Sequence, residues 1–335
     1  MKRSILSRLI KINLLLAIVF LGVALVSLLV GTARIEVIGS LKGLLYGCQE
    51  GKTFLTPAEK TIIFSIRLPR IIFAGIVGAA LSTAGVVFQA LLRNPLADPY
   101  ILGISGGSAV GAIIGIVIGS LPFSIPGLAF LGAVLTVLFV FTIGRTNPNT
   151  LLLAGVIINA FFSSVIMLFI SLSTSAELHN ITFWLMGDLS LATAGEIILT
   201  GLFLIVGLAI IYSEARPLNL IVTGEETAMQ LGVNVERTKI VLFLAASLIT
   251  GLAVSFSGII GFVGLIIPHI IRMLCGSDHR LLLPASFLFG ASFLIAADTI
   301  ARTIIPHTEL PVGVVTAMCG APYFIYLLRR RMSRP

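Results

Sequence analysis

GAALSTAGVVFQALLRNPLADPYILGISGG, residues 78–107, runs from a long apolar stretch through a short polar turn into a glycine-rich one. From residue 71 to residue 92 no charged side chain occurs. A helix of that length covers a hydrocarbon core about 30 Å thick, at about 1.5 Å per residue. Pro95 and Pro99 then bracket the turn, and a proline disfavours helix both at its own position and at the one before it. Gly103, Gly106 and Gly107 loosen the segment that follows. The stretch therefore reads as one crossing, a turn and a second, broken crossing. The turn is either non-helical backbone held against a pathway or an ordinary interhelical connection.

The rest of the chain repeats this theme. Its 335 residues are 57% hydrophobic and 11% charged, far from the roughly 25% charged fraction of soluble domains. Ten apolar runs fit membrane crossings, near 12–30, 67–92, 99–119, 124–144, 150–172, 194–213, 239–256, 258–275, 281–303 and 312–330. Glycines in the third and a proline in the eighth, GFVGLIIPHIIR, predict broken helices. The expected fold class is an all-α membrane protein of ten transmembrane helices. It forms a single domain over 1–335, with 214–238 as its longest polar excursion on the side of the termini and 31–61 on the other.

Ten crossings put both termini on one side, and Lys/Arg bias selects which. Of 22 Lys and Arg, fifteen fall before the first span, after the last, or in the loops on that side. Both ends are therefore expected in the cytoplasm of a prokaryote, with the chain in its inner membrane. The +8 balance follows from topology and does not signal nucleic acid. The first apolar segment reads as an uncleaved span. Cys48, Cys275 and Cys319, and the four histidines, lack metal-ligand spacing, so no metal site is expected.

ALSTAGVV at 80–87 and AVSFSGII at 253–260 share Ala, Ser and Gly in place. They lie five crossings apart, so a true repeat, helices 2–5 against 7–10, would be inverted. Close packing of small residues explains the pair equally well. GCQEGKT at 47–53 mimics a phosphate loop but has three residues between its glycines where four are required. It also falls on the outer side, so the chain is not expected to hydrolyse ATP. Asp298, the one acid well inside a span, is expected to pair with Arg302 one turn later. No acid pair, nucleophile with base, or metal cluster emerges, and an enzyme is not expected.

Five charges gather in GEETAMQLGVNVERTK, residues 224–239. Thr223 fits an N-cap, Glu225 and Glu226 suit the first turn, and Gly232 suits closure after Leu231. A helix this short reaches only about 13 Å and must lie across the membrane face. Ala228, Met229 and Leu231 would form a small apolar surface for a partner; otherwise the stretch is a solvated loop.

IRLPR at 66–70, the opening stretch, GFVGLIIPHIIR at 261–272, DHRLLLPAS at 278–286 and ELPVGVVTAMCGAPYFIYLLRR at 309–330 occur in order over nearly the whole chain. Together they resemble the permease subunits of iron-chelate, haem and vitamin B12 ABC importers. The resemblance implies the type II ABC importer permease architecture and a homodimer. It implies two ATP-binding subunits on the cytoplasmic face, holding ATP and Mg, and a substrate-binding protein outside. The chain itself would hold no cofactor.

By that resemblance Glu225, Glu226, Ala228, Met229, Leu231 and Gly232 contact the ATPase subunit, and charged residues at Ala228 and Leu231 should abolish transport without unfolding the chain. Arg67 and Arg302 dock the binding protein, and Arg70 is ranked below them because it could instead anchor the span at the headgroups by snorkelling. Asn94 and Leu96 form one cytoplasmic gate. Pro148 and Asn149 mark a second, where TNPNT departs from relatives that carry small hydroxyl residues. Asn159, Ser163 and Ser164 either line the pathway or face a neighbouring helix. The expected substrate is an iron(III)-chelate (siderophore) complex, with cobalamin or haem as alternatives. Transport would proceed by alternating access driven by the partner ATPase. An ion-coupled secondary transporter is the alternative of a different class.

Overall fold

A computed structural model describes residues 2–31, 56–119, 124–145, 147–190, 192–305 and 308–332. GCQEGKT, Cys48, Arg34, Lys42, Lys52, His307 and Arg334 lie outside the described residues. The described chain is all helical. Its longer elements are α1 (Lys2–Leu29), α2 (Pro57–Leu91), α3 (Ile104–Ile118), α4 (Ser124–Gly144), α5 (Pro148–Leu172), α6 (Ser175–Met186) and α7 (Ala194–Ser213). Two short helices follow, α8 (Ala215–Thr223) and α9 (Glu225–Gln230), then α10 (Val235–Ser257), α11 (Val263–Cys275), α12 (His279–Ala301) and α13 (Val312–Met332). Seven helices are long and apolar enough to cross a membrane, and three shorter apolar ones, α3, α11 and the apolar part of α13, complete the ten expected runs.

Both segments expected to be broken are shortened, but the proline of the second, Pro268, lies inside α11 and is not where the break falls. Before α3 stands a separate turn of 3-10 helix, Pro99–Leu102, and Gly103 takes the left-handed conformation at φ 81°. Before α11, residues 258–262 are irregular, with positive φ at Gly258 and, without the freedom of glycine, at Phe262. The echo at 253–260 therefore ends a helix, whereas 80–87 lies inside one; the two stretches do not share equal local backbone. A departure from the expected spans is α6, whose polar first turn and modest length hid it between crossings. Thr174 and Glu177 cap it reciprocally.

α2 is the axis of the bundle. About 89% of its apolar window is buried, against 22% for α5 and α7 and 11% for α1, as expected of a helix that is apolar all round. Its small residues let neighbours approach backbone to backbone. A Cβ at Gly78 would overlap the Gly290 carbonyl of α12, and one at Gly85 would overlap the Gly264 carbonyl of α11. Gly85→Ala is accordingly expected to lower stability by about 1–3 kcal/mol through forced separation of α2 and α11. Gly22→Ala on α1, where nothing lies within 4 Å, should leave the thermal midpoint in detergent unchanged; equal midpoints for the two variants would contradict this packing.

Candidate functional site: a helical elbow joined to the 92–98 turn

α8 and α9 form an elbow too short to cross a bilayer. Three features of the sequence reading are corrected here. Thr223 does not cap α9: it ends α8, its hydroxyl donates to the Leu220 carbonyl, and Gly224 is the N-cap residue. The preceding residues 215–223 are helical and supply the first arm of the elbow. Ala228 is fully buried against Ile221 and Val235, so it staples the elbow and offers nothing outward. Met229 and Leu231 are 55% and 63% exposed, and Glu226 and Gly232 are also exposed. Gly232 closes the helix as expected, at φ 83°, with its amide donating to Met229 and that of Val233 to Ala228.

Glu225 is turned inward. Its two oxygens accept separate charge-assisted bonds, from Arg93 Nη2 at 2.7 Å and from Lys239 Nζ at 2.6 Å. The other arm is fixed by Asn219, which donates to Asp278 at 2.8 Å and accepts from the His279 amide at 2.9 Å. Arg280 and Asn219 together hold the Asp278 carboxyl down to about 2, the Arg280 hydrogen bond being the largest cause.

Arg93 opens the turn expected as the first gate, at φ 48°. The turn is internally rigid: Asn94 Oδ1 accepts from the Leu96 amide at 2.9 Å, and the Asn94 carbonyl from the Ala97 amide at 3.0 Å. Leu96 is exposed and Ala97 buried. Burial pushes the Asp98 carboxyl up to about 6, against the pull of its bond from the Tyr100 amide. Tyr100 ties the two broken segments together, its hydroxyl donating to the Ile260 carbonyl at 2.9 Å and accepting from the Ile260 amide at 3.0 Å. Asn159 of α5 donates to the Tyr100 carbonyl at 2.8 Å. Ser163 and Ser164 are exposed and bond back to the carbonyls of Asn159 and Ala160. Pro148 is the first residue of α5 and Asn149 sits in its first turn, where Asn147 caps the amides of Asn149 and Thr150. Residues 147–150 thus carry a helix start.

The expected docking arginines lie at the other end of α2. Arg67 donates to the carbonyls of Leu28 and Leu29, and Arg302 to Ser27. Both neutralise the open carbonyls at the end of α1 and are only 4% and 6% exposed, so neither presents its guanidinium outward. Arg70 is no headgroup anchor. It is buried, with its Nε 3.0 Å from both oxygens of Asp298 and its Nη1 2.6 Å from Glu309. Arg302 Nε stands 3.8 Å from Asp298, so the principal partner of Asp298 is Arg70, not the residue one turn later.

The chain as a whole has known relatives. The model of the FecCD transport family matches residues 15–330. The chain belongs to that family. The FecCD chain is 38% identical over 327 residues to the hemin transport system permease protein HmuU of Yersinia pestis, covering 94% of this chain and 96% of that protein. It is 44% identical over 280 residues to the cobalamin import system permease protein BtuC of Halobacterium salinarum, covering 82% and 75% respectively. A solved structure described as a metal-chelate type ABC transporter in an inward-facing conformation matches with a TM-score of 0.83 at 34% identity, over 96% of this chain and 99% of that one. The FecCD chain is therefore a multi-pass membrane protein and an ABC importer permease.

The fold of the FecCD chain joins the elbow to the 92–98 turn and leaves Arg67, Arg70 and Arg302 together at the far end. Sequence reasoning missed Arg93, Tyr100, Asn219 and Asp278 as members of these constellations. Arg93 and Glu225 are 132 residues apart, and no local spacing announces such a pair. Among the described residues no group of three His, Cys, Asp or Glu side chains is placed to hold a metal.

Proposed function

We propose that this permease carries an iron(III)-chelate complex across the cytoplasmic membrane as one half of a homodimer, by alternating access. Two ATP-binding subunits, holding ATP and Mg, seat on the α8–α9 elbow, and an external binding protein delivers the substrate. Both termini face the cytoplasm. The observation that carries the reading is the elbow: a short, internally stapled element that directs Met229 and Leu231 outward while gripping the 92–98 turn. Such an element suits a partner that pushes from outside the bilayer. The likeness to a metal-chelate type transporter supports the chelate class, and the cobalamin and hemin relatives supply the second reading. Docking through Arg67 and Arg302 requires their release from the end of α1, so reversing either charge should first cost stability.

Proteoliposomes holding the permease and its ATP-binding subunits, with the binding protein, should accumulate radiolabelled ferric siderophore only when ATP is inside. Cyanocobalamin and hemin serve as the competing cargoes, and preference for either would replace the iron chelate. Uptake by the permease alone under an ion gradient would overturn the ABC mechanism.

A further inference from the structure

We infer that Arg93 is a positioning residue that transmits movement of the α8–α9 elbow to the 92–98 turn through Glu225. The inference rests on the reading of the elbow as the ATPase contact. Among the described residues Arg93–Glu225 is the one ion pair between the turn and α9. Each side of it is braced independently. On the elbow side, Glu225 keeps Lys239 as a second partner, Ala228 is buried against Ile221 and Val235, and Asn219 is bonded to Asp278. On the turn side, the bonds from Leu96 and Ala97 to Asn94 make the backbone beyond Arg93 a stiff unit. Arg93 is therefore a link between two bodies that each hold their shape without it.

The link contributes little to stability. The Arg93 side chain is 49% exposed and that of Glu225 31%, and pairs in such settings are worth little to folding. The positive φ of Arg93 belongs to the close of α2, where the Arg93 amide donates to the Ala90 carbonyl and the Asn94 amide to the Gln89 carbonyl, so the pair starts from a defined backbone. The pair is then a coupling between two elements, whose signature is a changed response and not a changed melting point.

The test uses the full complex of two permease copies with their ATP-binding subunits in nanodiscs, native cysteines replaced. Spin labels are placed at Leu96→Cys in one preparation and at Thr227→Cys in another, and distances between the two copies are measured by pulsed electron resonance with and without ATP and vanadate. In the Arg93→Gln complex the Thr227 distance should change on nucleotide binding as in the parent, while the change at Leu96 falls by at least half. Arg93→Lys should restore most of it, and the thermal midpoint should stay within the error of the parent. An undiminished Leu96 response in Arg93→Gln would overturn the inference, as would loss of the Thr227 response in that variant, because Arg93 would then hold the elbow in place. If Thr227 fails to respond in the parent complex, the ATPase-contact reading falls first, and this inference with it.

Discussion

Arg70→Leu should unfold the purified permease at a markedly lower temperature, because it strands a carboxylate in the middle of packed helices. Asp298 has a side-chain exposure of 1%, and Arg70 supplies its close bonds. Removing one partner of a buried pair costs about 3–5 kcal/mol. Arg302, 3.8 Å away and committed to Ser27, is poorly placed to take over. The loss also frees Glu309, which Arg70 ties to α2 and α12 from the segment before α13. Glu309 is half-exposed and can be solvated, so its share of the cost is the smaller.

The double variant Arg70→Leu with Asp298→Leu separates the two effects. It removes the stranded charge along with its partner, and replacing a buried pair by apolar residues is often neutral or stabilising. The double variant should therefore recover most of the midpoint lost in Arg70→Leu, followed by size-exclusion chromatography of heated samples in detergent. A double variant less stable than the single one would show that the cluster holds α2, α12 and the end of α1 by geometry and not by charge compensation.

What was legible in the sequence divides along physical lines. Apolar runs disclosed α4, α5, α7 and α12 to within a few residues, since a bilayer imposes length and composition on each crossing, but they gave only the C-terminal end of α2, which starts at Pro57 and not near 67. The breaks fall where glycine frees the backbone, at Gly103 and at Gly258 beside Phe262, all at positive φ, whereas Pro268, which marked the second span as broken, sits inside α11 without interrupting it. Ala228 shows where that legibility ends. Beside Met229 and Leu231 it reads as one apolar patch, yet only the elbow's fold decides that Ala228 faces Ile221 and Val235 while the other two face out. Thr223 is similar: a good cap by type, it is the last residue of a helix that propensity did not reveal. For Asp298, the i,i+4 spacing to Arg302 was real, but a guanidinium from a helix 228 residues away was closer.

The corrected elbow changes which substitutions report on docking. Met229→Asp with Leu231→Asp should release the ATP-binding subunits and leave the permease folded. Both side chains are more than half exposed in the isolated chain, so charge there costs the permease little. At a docked interface each apolar anchor is worth about 1–3 kcal/mol, about 5- to 150-fold in affinity, and two introduced carboxylates add a desolvation penalty. Co-purification through a tag on the permease should yield the ATP-binding subunit with the parent chain and none with this variant, at equal thermal midpoints. Ala228→Asp should behave differently. It places a charge where exposure is 0%, breaks the contact with Ile221 and Val235, and lowers the midpoint as well as the yield of complex. If Ala228→Asp instead proves as stable as the parent, the elbow is not stapled as described. Retained ATP-binding subunits in the Met229 and Leu231 double variant would move the docking surface elsewhere, with the exposed charges Glu226 and Glu236 next in line.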